Sequence, residues 1–258
     1  MTVPEPARRR EVGVLGSAPQ AEGDGSPDPS RDMDRVGVPD SLRPLAAGLG
    51  EDRVLSEAFR TRRFGPEEIG TSREAAVLVL LTSGEDPEVV LIERAAALRK
   101  HAGQIAFPGG AVEAGETAEA AALREAWEEV GLDASQVTVL GRLPAARIPV
   151  SQFHVHAVVA WWAGAGELVP QPGEVAQVLR VPVSALVAPR NRSSWRHSSG
   201  RTGPGFSVLG VEGDELYVWG FSAYVLDAVL EAGAWTLPWE RTRFVEIPSR
   251  FLPDLRPS

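Results

Sequence analysis

The sequence predicts an α+β fold in which a mixed β-sheet is sandwiched between α-helices. Two observations carry that expectation. A series of short runs rich in Val, Leu and Ile, separated by Gly, Pro and Asp, has the spacing of strands. Two amphipathic helical segments, at about 117–130 and 221–233, stand among them. The chain has 258 residues, 43% of them hydrophobic, which is ample for one sizeable core.

Taken in order, residues 1–35 carry Pro, Gly, Ser and Asp without apolar periodicity and read as a disordered leader. Residues 36–72 read as an N-terminal extension with helix-prone pieces, SLRPLAAGLG and DRVLSEAF. The main domain is expected over 73–235, followed by a C-terminal tail, 236–258. EAAVLVLLT (74–82) and EVVLIER (88–94) are strands joined by the turn SGEDP. QIAF (104–107) is a short strand that stops at Pro108-Gly109-Gly110. The helix at 117–130 has Thr117 as N-cap and Gly131 as its stop. Leu123, Ala126 and Val130 form its apolar stripe, with Trp127 at the edge. Strands follow at 136–143, 153–162 and 175–182, then a helical turn at 183–187. FSVLGV and ELYVWG suggest a hairpin around Glu212-Gly213-Asp214, and the 221–233 helix closes the domain.

The chemistry concentrates on the 117–130 helix. At about 100° per residue, Glu129 lies roughly 40° round from Glu125, and Glu128 roughly 60° to the other side. Three carboxylates on one stripe, opposite an apolar stripe, are expected to face outward. Their mutual repulsion asks for a divalent cation, and all-oxygen ligation suits Mg²⁺ or Mn²⁺ rather than Zn²⁺. A substrate with phosphates follows from such an ion.

Residues 110–132, GAVEAGETAEAAALREAWEEVGL, resemble the Nudix box, G-x(5)-E-x(7)-R-E-U-x-E-E-x-G-U with U apolar. Gly110, Glu116, Arg124, Glu125, Glu128, Glu129 and Gly131 occupy the fixed positions, and Ala126 and Leu132 the apolar ones. Upstream, VLIERAAALRKHAGQIAFPGG (90–110) resembles the signature of the coenzyme A pyrophosphatase branch of that family. Arg94, Ala95, Arg99, Gly103, Phe107, Pro108, Gly109 and Gly110 match, while Val90 and Ile92 depart from the family's Leu and Thr. The resemblance covers about 73–235 and implies the Nudix fold. It also implies a metal-dependent pyrophosphatase that cleaves coenzyme A or acyl-CoA to 3′,5′-ADP and 4′-phosphopantetheine or its acyl form.

In that reading Glu125 and Glu129 are the principal metal ligands and Glu128 a third ligand or the general base. Glu116 is a candidate for a second metal, and the Gly109 carbonyl is a further ligand. Arg124 is a structural cation that orients a glutamate, counted with the catalytic set. Arg94, Arg99 and His101 would clamp the substrate's phosphates, with Gly103 and Gln104 in the same binding run. The alternative substrates are other nucleoside diphosphates such as ADP-ribose, NADH or dinucleoside polyphosphates. A non-catalytic, nucleotide-sensing domain is the reading from a different class.

Two further features stay open. His154 and His156 alternate on a strand and share one side; they suit a metal pair, although a half-buried strand face is the preferred reading. Glu174 is either a remote general base or half of a surface ion pair.

The net charge of −9 argues against broad nucleic-acid binding. No apolar run reaches the roughly 18 residues of a membrane span, and no signal-peptide core is present, so no membrane association is expected. The absence of cysteine fits a reducing cytoplasm and excludes thiolate metal sites. A small-molecule nucleotide is the expected partner, and a homodimer is compatible with these features.

Overall fold

A computed structural model describes residues 37–50, 73–98, 101–148, 153–164, 166–197 and 200–248. The leader at 1–35, the DRVLSEAF piece and Arg99 lie outside the described residues.

One sheet has the order β3-β2-β1-β7-β5, from strands β1 (Arg73–Thr82), β2 (Glu88–Arg94), β3 (Ile105–Ala106), β5 (Val137–Arg142) and β7 (Phe153–Trp162). Three more strands extend it: β4 (Gly109–Ala111) on β1, β6 (Ala146–Ile148) on β7, and β8 (Val175–Pro182) on β2. β1 and β7 run parallel, in register from Arg73↔Phe153 to Thr82↔Trp162, and the other pairings are antiparallel. The sheet is therefore mixed, as expected.

Alternation along β1 divides the core into two layers. Ala76, Leu78 and Leu80 point to one face, where they meet Ala121, Ala122, Ala126 and Val130 of helix α2 (Ala118–Val130). Val79 and Leu81 point to the other face, towards helices α1 (Arg43–Gly50) and α4 (Gly220–Ala232). α3 (Val183–Val187) is the expected helical turn. The sandwich of helices around a mixed sheet is the α+β architecture that the resemblance implies. Helix α1 packs so closely on α4 that a Cβ at Gly48 would overlap the Ala232 carbonyl.

A second, four-stranded sheet has the order β11-β10-β9-β12, with β9 at Arg192–Arg196, β10 at Thr202–Leu209, β11 at Glu215–Val218 and β12 at Phe244–Glu246. The hairpin thus forms where the turn signal lies, but its first strand begins earlier than FSVLGV. Gly203 and Gly205 belong to that strand because the Tyr224 and Tyr217 side chains occupy the space a Cβ would need. β9 escaped the sequence reading because three of its residues, Arg192, Ser193 and Ser194, are polar yet buried. Arg192 pairs with Asp227 of α4, and the Ser193 hydroxyl meets the Tyr217 hydroxyl at 2.8 Å. Within 236–258, β12 pairs in parallel with β9. Among the described residues, no helix is long and apolar enough to cross a membrane.

Candidate active site

Helix α2 starts where the Thr117 hydroxyl accepts a hydrogen bond from the Ala120 amide at 3.2 Å. It ends at Gly131, whose φ of 69° lets its amide bond back to the Ala126 and Trp127 carbonyls. The buried stripe consists of Ala118, Ala121, Ala122, Ala126 and Val130. Small residues there allow the helix backbone to lie close to the sheet. Trp127 differs from its expected place at the edge of this stripe. It is 63% exposed, because at about 100° per residue it lies well round from the centre of the buried face formed by positions 118, 121, 122, 126 and 130.

The carboxylates do not share one environment. Glu128 is exposed, Glu125 is mostly covered, and the Glu129 side chain is only 4% accessible. The expectation that all three face outward is therefore corrected for Glu129. It sits over the Gly109–Gly110 strand, where the Gly109 amide donates to its Oε2 at 2.9 Å. Arg94 of β2 approaches its Oε1 at 3.5 Å. Gly109 is sterically required by neighbouring backbone, whereas Gly110 leaves room for a side chain's head group. A Cβ at Gly109 would overlap the Ala76 carbonyl, and one at Gly110 would overlap the Glu125 carboxylate.

Arg124 organises the other acids. Its Nε and Nη2 donate to the two oxygens of Glu116 at 3.0 and 3.2 Å, a bidentate fork. Nη1 reaches Glu125 at 3.0 Å and Glu128 at 3.4 Å, and Nη2 also donates to the Ala111 carbonyl at 3.0 Å. Glu116 additionally accepts the Glu113 amide at 3.0 Å, which closes the loop before the helix. Hydrogen bonding from Arg124, then from the Glu113 amide, holds the Glu116 carboxyl below its ordinary range.

Burial pushes the other two carboxyls the opposite way. Glu125 is raised by burial against the Arg124 bond, with the charges of Glu128 and Glu174 adding to the rise. Glu129 is pushed up to about 7, chiefly by burial. The Gly109 amide and Arg94 oppose that rise, while Glu125 and Glu174 reinforce it. The cluster thus holds more negative charge than its two arginines neutralise. Its donors are all carboxylate oxygens, and the Gly110 cradle keeps the Glu125 head group against the strand. This donor set fits a hard divalent cation.

Glu174 is the residue that the sequence left between two readings, and its charge acts on both Glu125 and Glu129. Chain connections bring it there: the Gln171 amide bonds the Glu129 carbonyl, and the Ala95 amide bonds the Glu174 carbonyl. These links run between distant segments, so no local pattern announces them.

Upstream, the Arg94 amide donates to the Gln104 carbonyl at 3.0 Å and the Gly103 amide to the Arg94 carbonyl at 2.9 Å. His101 adopts φ 58°, and its Nδ1 lies 3.1 Å from Gln104 Oε1. The loop carrying His101, Gly103 and Gln104 therefore closes at Arg94, beside Glu129. The Arg94 Nε is buried and has no hydrogen-bond partner among the described residues.

The NUDIX domain family model matches residues 72–199. An uncharacterized Nudix hydrolase NudL of Pectobacterium atrosepticum is 43% identical over 117 residues, covering 45% of this chain and 60% of that protein. The NudL of Cronobacter sakazakii is 41% identical over 134 residues, covering 52% of this chain and 69% of its own length. Among solved structures, the Nudix hydrolase RenU of M. smegmatis is 32% identical, covers 44% of this chain and 72% of that one, and superposes with a TM-score of 0.38. The chain belongs to the Nudix hydrolase family. It spans about 60% of the first of these curated relatives.

Proposed function

We propose that this chain hydrolyses the pyrophosphate bond of coenzyme A or acyl-CoA, with Mg²⁺ or Mn²⁺ held by Glu125, Glu128 and Glu129. The metal-dependent part of this reading is carried by the buried Glu129, whose charged form lacks sufficient compensation from the chain's own groups, and the coenzyme A part is supported by the resemblance of residues 90–110. A bound divalent cation supplies the missing positive charge and Lewis-acid polarisation of the diphosphate.

The residues divide the remaining work. Glu125 and Glu129 would hold the ion, supported by the Gly110 cradle and the Gly109 amide. Glu128, exposed and loosely tied to Arg124, is the third ligand or takes the proton of the attacking water. Arg124 positions Glu125 through its fork on Glu116, and Glu116 stays in the ligand set for a second cation. The Gly109 carbonyl completes the oxygen donors. Water adds to one phosphorus and the bridging P–O bond breaks, its electron pair leaving with the other phosphate. The products are 3′,5′-ADP and 4′-phosphopantetheine, acylated where the substrate was.

Arg94, Arg99 and His101 would bind phosphate oxygens, with Gly103 and Gln104 shaping the loop that presents them. Arg94 is suited to this because its side chain is partly exposed beside Glu129. Ile92, which departs from the family's threonine, is fully buried in the core beneath α2. The departure therefore alters packing rather than a substrate contact. The protein is expected to work in the cytoplasm, without nucleic acid or membrane, and a homodimer is compatible with this role.

A screen of coenzyme A, dephospho-coenzyme A, ADP-ribose, NADH and dinucleoside polyphosphates with Mg²⁺ and Mn²⁺ tests the proposal. Coenzyme A should be turned over faster than dephospho-coenzyme A, since only it carries the 3′-phosphate. Equal rates would favour a general nucleoside-diphosphate pyrophosphatase. Binding without hydrolysis would favour a nucleotide sensor.

A further inference from the structure

We infer that Glu74, His154 and His156 form a second metal site, suited to Zn²⁺ or a similar borderline transition ion and separate from the glutamates of α2. The parallel register of β1 and β7 sets Glu74 beside His154 and Ala76 beside His156. Residues two apart on a strand share a face, so both imidazoles project on the side of Glu74. Their ring centroids are 5.1 Å apart and the planes are tilted by 59°.

The carboxylate lies between the rings. Glu74 Oε1 is 3.0 Å from His154 Nδ1, and Oε2 is 2.6 Å from His156 Nε2. One ligand atom from each residue can be chosen so that all lie within 4.8 Å of one another. Ligand atoms around a tetrahedral Zn²⁺ stand about 3.3 Å apart, so binding requires the three side chains to draw together from that spacing. Glu74 accepts an N–H from each ring in the present arrangement. On binding, the ion replaces both hydrogen bonds: each ring gives up the proton on its Glu74-facing nitrogen and, as a neutral imidazole, carries its single N–H on the other nitrogen.

The ligand chemistry separates this site from the first. Two imidazoles and one carboxylate match zinc, whereas the α2 cluster offers only oxygen. Arg147 of β6 stands opposite His154 in register. Access is open from solvent, because the Glu74 side chain is 36% accessible and that of His156 is 22%. Three protein ligands leave a fourth position for water or an anion. An ion here would tie the N-terminal ends of β1 and β7 together. The loop leading to α2 begins alongside, where the Val112 amide donates to the Glu74 carbonyl at 3.0 Å.

The test is zinc content of the full chain after equilibrium dialysis at about pH 7.5, where imidazole is mostly neutral. Wild type, His156→Gln, Glu74→Gln and the doubly substituted Glu125→Gln/Glu129→Gln protein are compared, with circular dichroism checking that each is folded. Wild type and the α2 variant should retain the zinc equivalent. His156→Gln and Glu74→Gln should each bind it at least about tenfold more weakly. Co²⁺ in place of zinc should give ligand-field absorption in wild type that folded His156→Gln lacks. The inference is overturned if wild type holds no zinc, if either folded ligand variant matches wild type, or if the zinc equivalent disappears with the α2 glutamates.

Discussion

Gly110→Ala should separate the chemistry of this site from its stability. The new methyl group would overlap the Glu125 carboxylate, which is the free end of a flexible side chain. Gly110 does not have a positive φ, so alanine adds no backbone strain. The Glu125 head group can swing aside by rotation, and the expected loss of stability is below about 1 kcal/mol, or roughly 2–4 °C in Tm. The functional cost is much larger. Displacing a metal-holding carboxylate by about 1 Å should lower kcat/KM about 100-fold, equivalent to about 2.7 kcal/mol of transition-state stabilisation. Gly109→Ala is the contrasting control. Its Cβ would meet the Ala76 carbonyl and the Val77 backbone, and its φ of 156° strains any L residue, so this variant should lose several kcal/mol of stability. The assays are thermal unfolding by circular dichroism and steady-state hydrolysis of coenzyme A at saturating Mg²⁺. The reasoning is refuted if Gly110→Ala keeps activity within about threefold of wild type, or if it unfolds as early as Gly109→Ala.

Arg124→Met should leave Glu116, Glu125 and Glu128 without their shared cation, lowering kcat/KM by about two orders of magnitude; rescue by Arg124→Lys should be incomplete because lysine cannot form the fork on Glu116, as steady-state kinetics will report. The raised Glu129 pKa gives a pH dependence with a definite sign. In metal-free protein its contribution to stability is intact below the unfolded value of 4.5 and is lost as pH rises through about 7, a change of about 3 kcal/mol. Metal-free Glu129→Gln should therefore melt higher than wild type at about pH 8, with the difference vanishing at about pH 4.5. For the same reason Mg²⁺ or Mn²⁺ must displace a proton from Glu129 below about pH 7, so titration calorimetry should show affinity falling as pH drops from about 8 to 6. Elsewhere, Arg192→Met should cost about 3–5 kcal/mol in denaturant unfolding by stranding the buried Asp227, and Asp227→Asn added to it should recover part of that loss.

The box helix was legible in the sequence because its determinants are local. Thr117, Ala126, Val130 and Gly131 lie within one segment, and the helix runs between the caps the residues predict, although the buried stripe also takes in Ala118, Ala121 and Ala122 and leaves Leu123 only half-buried. β2, β7 and β8 were equally plain, since each is an apolar run bounded by turn residues. The departures share a different cause. β9 is polar in sequence and is buried only because Asp227 and Tyr217 arrive from other elements. β4 consists of Gly109, Gly110 and Ala111, with too little side chain to show a pattern. The burial of Glu129 depends on Gly109 and Arg94, and the influence of Glu174 depends on a loop anchored to the end of α2. Trp127 is expected at the margin of the buried stripe, but the face that is buried is turned towards Ala118 and Ala122 and leaves it in solvent.

The central claim, that the α2 glutamates support metal-dependent cleavage of a coenzyme A pyrophosphate, is most directly tested by mass analysis of products. Coenzyme A is incubated with the full chain and Mg²⁺ or Mn²⁺, in wild type and in Glu125→Gln/Glu129→Gln. The account predicts 3′,5′-ADP and 4′-phosphopantetheine from wild type only, and neither product once the ion is chelated. Intact coenzyme A in every wild-type reaction, or the same products at full rate from the double variant, would contradict it.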